Sequence, residues 1–418
     1  MDRIIFHVDV NSAFLSWTAV KRLKEDPNAV DLRTIPSVVG GDVKTRHGIV
    51  TAKSIPAKKY GIQTAEPINS ALQKCPKLVV VPSDFQTYRE YSNAFIAILR
   101  SYSELLEQVS IDEAYLDVTT LKYVYPAEDF PLNVAKMIRD EIRENLGFTV
   151  NVGVSSNKLL AKMASDFTKP DKTHTLFPSE VQEKMWPLDI GDLYGCGKKT
   201  AARLRSIGIR TIGDAANYSE ELLISQLGEK SGEYIHRSAR GIGSDVVHPE
   251  RDDPKSYSNE TTTKNDITSA NFDTDMPPIV RRLSDKVSGR LKKDNVFGGT
   301  ISVQVKTEEF KRFSRQLKLP VSTNDADVIY DNAMKLLGEL LTGDDGLFED
   351  NIGIRLVGVG VDHLDNGEFR QGNLFDWMTT GKEELRAEKE KQEKEDKLSQ
   401  MEKSIRDKFG DGLIHKGL

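Results

Sequence analysis

The chain has 418 residues, with 58 Lys plus Arg against 64 Asp plus Glu, a formal net charge of −6 at neutral pH. At about 100–200 residues per domain, that length predicts two to four domains. Apolar residues at 38% and charged residues at 29% supply real cores under a charged surface, which excludes a wholly disordered or collagen-like chain. No stretch approaches the roughly 20 apolar residues a membrane helix needs. The apolar run near Met1 is too short for a signal peptide. Cys75 and Cys196 form neither a metal-like spacing nor a disulfide framework. A soluble, cytoplasmic protein is expected.

Ile4 to Val10 reads as an apolar strand carrying Asp9, and Asn11 can cap the helix that follows, through about Lys24. Residues 35–73 hold short strands and turns, with Pro56 and Pro67 as breakers. Leu78–Val81 is a brief strand, and Asp84 begins a helix. Glu107 to Val118 reads as a tight β-hairpin, Asn133–Leu146 as a helix, Phe148–Val154 as a strand and Asn157–Phe167 as a helix. Lys169-Pro170-Asp171 marks a break, after which 171–240 form short helices. Asp245–Pro254, polar and with two prolines, reads as a linker. A strand (256–263), a helix (278–294), two strands (299–306 and 310–319), a helix (326–341) and a strand (352–361) then give the order βαββαβ, a compact α+β module. The tail beyond about 364 is polar and rich in Glu and Lys, with an amphipathic pattern through Leu398, Met401 and Ile405.

Charge is unevenly placed. Residues 255–319 carry 13 basic and 8 acidic side chains, whereas 320–363 carry 2 basic and 9 acidic. Segregation of this size gives one face a positive field despite the acidic total, as nucleic-acid binding requires. Chance clustering on a solvated surface is the alternative.

Three carboxylates carry candidate chemistry. Asp9 ends an apolar strand, and Asp112 and Glu113 sit in Val109-Ser110-Ile111-Asp112-Glu113-Ala114-Tyr115-Leu116-Asp117, at the hairpin. A carboxylate at the end of an apolar strand must face solvent, a partner or a metal, because burying it unpaired is costly. Three brought together repel one another, and a divalent cation such as Mg²⁺ relieves that while keeping positions open for phosphates. Two such ions about 3.5–4 Å apart can clamp an in-line phosphoryl displacement. Spacing alone does not bring Asp9 to Asp112, and an ordinary surface carboxylate is the alternative for each.

Phe6-His7-Val8-Asp9-Val10-Asn11-Ser12-Ala13-Phe14, followed by Ser110-Ile111-Asp112-Glu113-Ala114-Tyr115-Leu116-Asp117, resembles the Y-family translesion DNA polymerases, in the branch of bacterial DNA polymerase IV and UmuC. Three further stretches fall in family order. Ala57-Lys58-Lys59-Tyr60-Gly61-Ile62 resembles the fingers motif. Val152-Gly153-Val154 through Ser165 resembles the last palm strand and helix. Gly195-Cys196-Gly197-Lys198, with Leu204 and Gly208-Ile209, resembles the thumb helix-hairpin-helix. The same glycines suggest the phosphate loop of nucleotide hydrolases, but that motif needs a glycine five residues before Gly197, where Asp192 stands.

The resemblance covers about residues 1–363. It implies an α+β right-hand polymerase with palm (1–10 and 74–167), small fingers (11–73), helix-hairpin-helix thumb (168–240), linker (241–254), βαββαβ little finger (255–363) and a tail (364–418). It implies error-prone, lesion-bypass DNA synthesis on primer-template DNA from deoxynucleoside triphosphates, by a monomer. Asp9, Asp112 and Glu113 would hold two Mg²⁺ ions, with the Val10 carbonyl as a further ligand, and Phe14 would be the steric gate against a ribose 2′-OH. Lys162 and Lys58 would contact the triphosphate. Family members often carry Tyr then Arg around the fingers motif, and Ile55 and Lys58 stand at the matching positions, so a hydroxyl and a bidentate guanidinium are missing. Gly195, Gly197 and Lys198 would approach a DNA phosphate. Lys306, Lys311, Arg312 and Arg315 would grip the duplex backbone. Gln371-Gly372-Asn373-Leu374-Phe375 resembles the clamp-binding peptide of bacterial polymerases, with Gln371, Leu374 and Phe375 as anchors for a sliding clamp. A non-catalytic DNA-binding scaffold and a metal-dependent nuclease are the rival readings.

Overall fold

The structure, a computed structural model, describes residues 3–41, 48–125, 128–250, 252–343 and 345–366, with a few positions between 392 and 401. They form two compact units, Met1–Asp253 and Pro254–Leu418. None of the described helices is long and apolar enough to cross a membrane.

The first unit runs β1 (Ile5–Val10), α1 (Ala13–Glu25), β2 (Ser37–Gly40), β3 (Val50–Lys53), α2 (Ile55–Lys59), α3 (Ile68–Lys74), β4 (Val79–Pro82) and α4 (Phe85–Tyr102). It continues with β5 (Leu106–Gln108), β6 (Glu113–Asp117), α5 (Leu132–Leu146), β7 (Val150–Ser155), α6 (Lys158–Asp166) and β8 (Thr173–Thr175). Four short helices follow, α7 (Lys198–Ser206), α8 (Ile212–Asn217), α9 (Glu220–Leu227) and α10 (Glu229–Ala239).

β1 is the middle strand of a five-stranded sheet of order β5-β6-β1-β7-β8. Its even positions, Phe6, Val8 and Val10, are all apolar, whereas the odd face carries Ile5 and then the polar His7 and Asp9. Phe6, Val8 and Val10 enter the main core beside Phe95 and Leu99 of α4 and Ile138 and Ile142 of α5. Ile5, His7 and Asp9 face the other way, toward α6, where Ile5 packs with Tyr115 and Ala161. Gly153 permits the close approach of α6: a Cβ there would stand 1.9 Å from the Ala161 carbonyl oxygen. Asn157 caps α6 by accepting from the Leu160 N–H at 2.9 Å.

The structure corrects several local expectations. Asn11 does not cap α1. Its amide donates to Asn151 Oδ1 and its oxygen accepts from Thr149 Oγ1, tying the end of β1 to the neighbouring strand. Ser12 is the residue at the helix start, in a left-handed conformation with φ 51° and no side-chain cap. β4 lies within the segment expected in the palm, yet it pairs in parallel with β2 in a separate three-stranded sheet, β3-β2-β4. Leu78 there packs with Val38, Val50, Ile62 and Ile68 in a small core of its own.

The start of the expected linker is docked rather than solvated. Lys158 N–H donates to the Ser244 carbonyl at 2.9 Å, and Val247 is buried against Ile5, Tyr115 and Ala161. His248 N–H reaches Glu107, which also pairs with Lys158 at 2.8 Å.

The second unit has β9 (Ser256–Ile267), α11 (Phe272–Lys293), β10 (Phe297–Thr307), β11 (Arg312–Thr323), α12 (Ala326–Leu341) and β12 (Ile354–Asp365), the βαββαβ order read from the sequence. Its sheet order is β11-β10-β12-β9, and both helices pack on one face. α11 begins six residues before the Pro278 start that the sequence suggests and contains Pro277 and Pro278. The prolines remove two backbone donors near its beginning, and the burial of Phe272 and Met276 in the core offsets that loss.

Candidate active site

The antiparallel register of β1 and β6 sets Asp9 directly opposite Glu113 and His7 opposite Tyr115. Asp112, in the hairpin turn just before β6, is joined to β1 through the Val10 N–H, which donates to its backbone carbonyl at 3.0 Å. The Ser110 hydroxyl donates to Asp112 Oδ1 at 2.6 Å. Asp9 is thus brought beside the adjacent pair Asp112 and Glu113, more than a hundred residues later in the chain, at one end of two paired strands.

α6 and the segment just after it supply counter-charge to Asp9 and Glu113. Lys162 Nζ lies 3.3 Å from Asp9 Oδ2 and 3.1 Å from Glu113 Oε2, and Lys169 Nζ lies 2.8 Å from Asp9 Oδ1. Burial alone would lower the Lys162 ammonium; Asp9, Asp166 and Glu113 overturn that and raise it. Glu113 is held down to about 2 by the His7 ring beside it and by Lys162, against the opposing effect of burial. Burial pushes the Asp112 carboxyl up, and the neighbouring Asp9 and Glu113 push it the same way.

His7 is fully buried behind Glu113. Its Nδ1 stands 2.8 Å from Ser165 Oγ, and that hydroxyl donates to the Lys162 carbonyl at 2.8 Å. His7 Nε2 is left 3.4 Å from Glu113 without a formed hydrogen bond.

Among the described residues no group of three or more His, Cys, Asp or Glu side chains is gathered closely enough to hold a metal ion as it stands, because ammonium groups sit between the carboxylates. The donors nonetheless fit a hard divalent cation. They are all oxygen, and their charge is now met by two lysine ammonium groups in the place a cation would take.

Phe14, on the first turn of α1, is partly buried, with its ring stacked on Tyr88 at 4.4 Å between centroids. The Tyr88 hydroxyl is held 3.3 Å from Thr18, and the exposed Phe85 stands edge-on to Phe14 at 6.3 Å. Lys58 lies on α2, capped by Ser54 and beside the exposed Ile55. No ion pair joins Lys58 to the Asp9–Glu113 group among the described residues.

In the thumb segment Gly195 has φ +83°, and a Cβ there would stand 2.5 Å from the Tyr234 hydroxyl, so only glycine fits. Gly197 caps α7, with Lys198 as its first residue.

The second unit does not gather its four expected cations. Cross-strand partners share a face. Lys306 pairs with Arg312, and their face also carries Gln304, Ser314 and Lys318. Arg315 lies opposite the buried Val303, on the helix-covered side, and reaches Glu339 of α12 at 3.6 Å. Lys311 lies in the turn, 2.8 Å from Glu309. Gln371, Leu374 and Phe375 fall outside the described residues, as do Leu398 and Ile405.

Sequence reasoning missed Lys169, Asp166, His7 and Lys318. Lys318 was legible, since it shares parity with Arg312 along one strand.

Residues 8–166 match the profile of the impB/mucB/samB family, residues 254–374 that family's C-terminal domain, and residues 191–243 the DNA polymerase-iota thumb domain. DNA polymerase IV of Clostridium acetobutylicum is 39% identical over 100% of this chain and 98% of its own length. DNA polymerase IV 1 of Bacillus subtilis is 33% identical over 99% of this chain and 92% of its own. A solved Y-family DNA polymerase chimera superposes with a TM-score of 0.73 at 27% identity, covering 86% of this chain and 98% of the chimera. With paired carboxylates on its central strands and matches along its whole length, the chain belongs to the Y family of translesion DNA polymerases, as a DNA-directed DNA polymerase of the polymerase IV branch.

Proposed function

We propose that Asp9, Asp112 and Glu113, with the Val10 carbonyl, hold two Mg²⁺ ions where this polymerase joins a deoxynucleotide to a primer 3′-OH. The observation that carries the reading is the single Lys162 ammonium shared by Asp9 and Glu113, which marks where the carboxylates converge. Family membership brings dependence on a divalent metal. When bound, a pair of such ions supplies Lewis acidity to the attacking oxygen and the leaving phosphates. The chain's own groups do the positioning. The β1–β6 register holds Asp9 against Glu113, and the Ser110 hydroxyl orients Asp112. Lys162 and Lys169 bring positive charge to the triphosphate, with Lys58 reaching it from the fingers. Phe14 walls the sugar. Primer extension by Asp112→Asn tests the assignment, with loss of extension and retained DNA binding as the expected result.

In this reading residues 1–10 and 74–167 are palm, 11–73 fingers, 168–240 thumb, 241–254 linker and 255–363 little finger, except that β4 joins the fingers sheet and β8 the palm sheet, and the protein works as a cytoplasmic monomer. The Gly195 and Gly197 amides with Lys198 meet a DNA phosphate. In the little finger the open sheet face of Lys306, Arg312 and Lys318 grips the DNA backbone, with Lys311 at its turn. Neutralising Lys306, Arg312 and Lys318 together is expected to weaken binding to all DNA sequences alike and to flatten the log–log salt dependence by about 0.9 per lost contact. Arg315→Gln leaves that slope unchanged. Equal slopes for the triple variant and wild type would remove this face from the interface.

The tail binds a sliding clamp through Leu374 and Phe375 in an apolar pocket, with Gln371 at its rim. Tethering keeps the polymerase at high effective concentration near the primer end. Replacing Leu374 and Phe375 by Ala is expected to leave extension without clamp unchanged and to remove stimulation by a bacterial clamp. Full stimulation of the double variant would place the contact elsewhere.

A further inference from the structure

Asp166 is the last residue of α6, and its two oxygens hold two different ammonium groups. Oδ2 meets Lys162 Nζ at 3.4 Å, and Oδ1 meets Lys169 Nζ at 2.9 Å. On their other sides the same two lysines reach Asp9 and Glu113. Charges therefore alternate from Glu113 through Lys162 and Asp9 to Lys169, with Asp166 bridging both lysines from outside. Asp166 is also the most accessible of the three carboxylates, its side chain 50% exposed against 16% for Asp9 and 23% for Glu113.

Helix stability does not account for this placement. A carboxylate at a helix C-terminus opposes the macrodipole. A lysine four residues before an acid is also the weaker order for an ion pair along a helix. The position makes sense if the two ammonium groups need a partner that remains when Asp9 and Glu113 are taken by divalent cations. A lysine ammonium on a flexible four-carbon stem is free to swing once its carboxylate is gone.

We propose that Asp166 is a positioning residue of the polymerase, holding Lys162 and Lys169 at the mouth of the site so that both ammonium groups meet the triphosphate. The proposal rests on the reading of those two lysines as triphosphate contacts. It differs in sign from a plain field effect. Removing one negative charge near the site would, by field alone, attract the anionic nucleotide more strongly and lower its KM. Loss of positioning raises KM instead.

The test is single-nucleotide insertion on primer-template DNA by Asp166→Asn and Asp166→Glu, with direct Mn²⁺ binding to each protein, free of nucleotide, followed by electron paramagnetic resonance. For Asp166→Asn the nucleotide KM is expected to rise about tenfold, the scale of one charge-assisted hydrogen bond. kcat changes less than KM, as it does when binding rather than the chemical step is lost. Mn²⁺ binding weakens as well, because the freed ammonium groups settle on Asp9 and Glu113 and must be displaced. Asp166→Glu, which keeps the charge one methylene away, recovers much of the KM. A KM that falls or stays level in Asp166→Asn overturns the proposal, as does unchanged Mn²⁺ binding. Lys162→Ala and Lys169→Ala separate the two levels. If neither raises KM, the triphosphate reading fails and this role falls with it. If they raise KM and Asp166→Asn does not, only the role of Asp166 is lost.

Discussion

Asp112→Asn is expected to lower primer extension by at least about 10³-fold, roughly 4 kcal/mol of transition-state stabilisation, while binding of primer-template DNA persists. The substitution is isosteric. The Val10 N–H to Asp112 bond uses the backbone carbonyl and survives, and the Ser110 hydroxyl keeps an acceptor in the amide oxygen. What disappears is one negative charge, on the group whose carboxyl is pushed up by burial and by the two acids beside it. Its ionised form costs the fold stability, because burial and like charges disfavour it. The asparagine variant therefore melts no lower than wild type at neutral pH, and a lost activity beside an unharmed fold is the signature of a functional group. Extension within about tenfold of wild type, a difference of about 1.4 kcal/mol, would end the assignment.

Phe14→Ala is expected to raise ribonucleotide relative to deoxynucleotide incorporation by about 10- to 200-fold, the range a single steric difference in an apolar pocket supplies. The ring is braced for such a role. Tyr88 lies flat behind it at 4.4 Å, fully buried, with its hydroxyl beside Thr18. A wall backed in this way cannot yield to an extra hydroxyl by turning aside. The aromatic stack is worth about 0.5–1.5 kcal/mol beyond its buried area, so the variant also melts somewhat lower, and Phe14→Leu separates bulk from stacking. An unchanged ribo-to-deoxy ratio would make Phe14 a packing residue.

Much of the architecture was legible because periodicity reports burial. The apolar run at Ile4–Val10 announced a strand, and the segment 299–319 announced two strands in succession, as β1, β10 and β11 now stand. The site was legible in its anions and less so in its cations. Asp9, Asp112 and Glu113 carry the family motifs, whereas Lys169 follows a helix end and reads locally as part of a break. Its partner Asp9 lies 160 residues earlier, and no local pattern encodes that pairing. Asn11 had the composition of a helix cap but spends its amide on the next strand. The docked start of the linker buries Val247, whereas its neighbour Val246 stays exposed, and nothing in that polar stretch separates the two. Arg312 and Arg315 were grouped by proximity in sequence, although a strand's period of two already assigns positions three apart to opposite faces.

The pairing of Asp9 with Glu113 has a consequence for how this gene can vary. Ile5, His7 and Asp9 share one face of β1, and Phe6, Val8 and Val10 share the other. Substitutions change one side chain at a time, and many conservative ones will be tolerated. Insertion or deletion of a single codon within β1 or β6 is a different event, because it shifts the alternation of every residue beyond it. Valine would then be presented to the nucleotide, and aspartate would be driven in among Phe95, Leu99 and Ile138. Length changes should accordingly be purged from these two strands far more strictly than residue changes, and accumulate instead in exposed turns such as the one at Asp26-Pro27-Asn28.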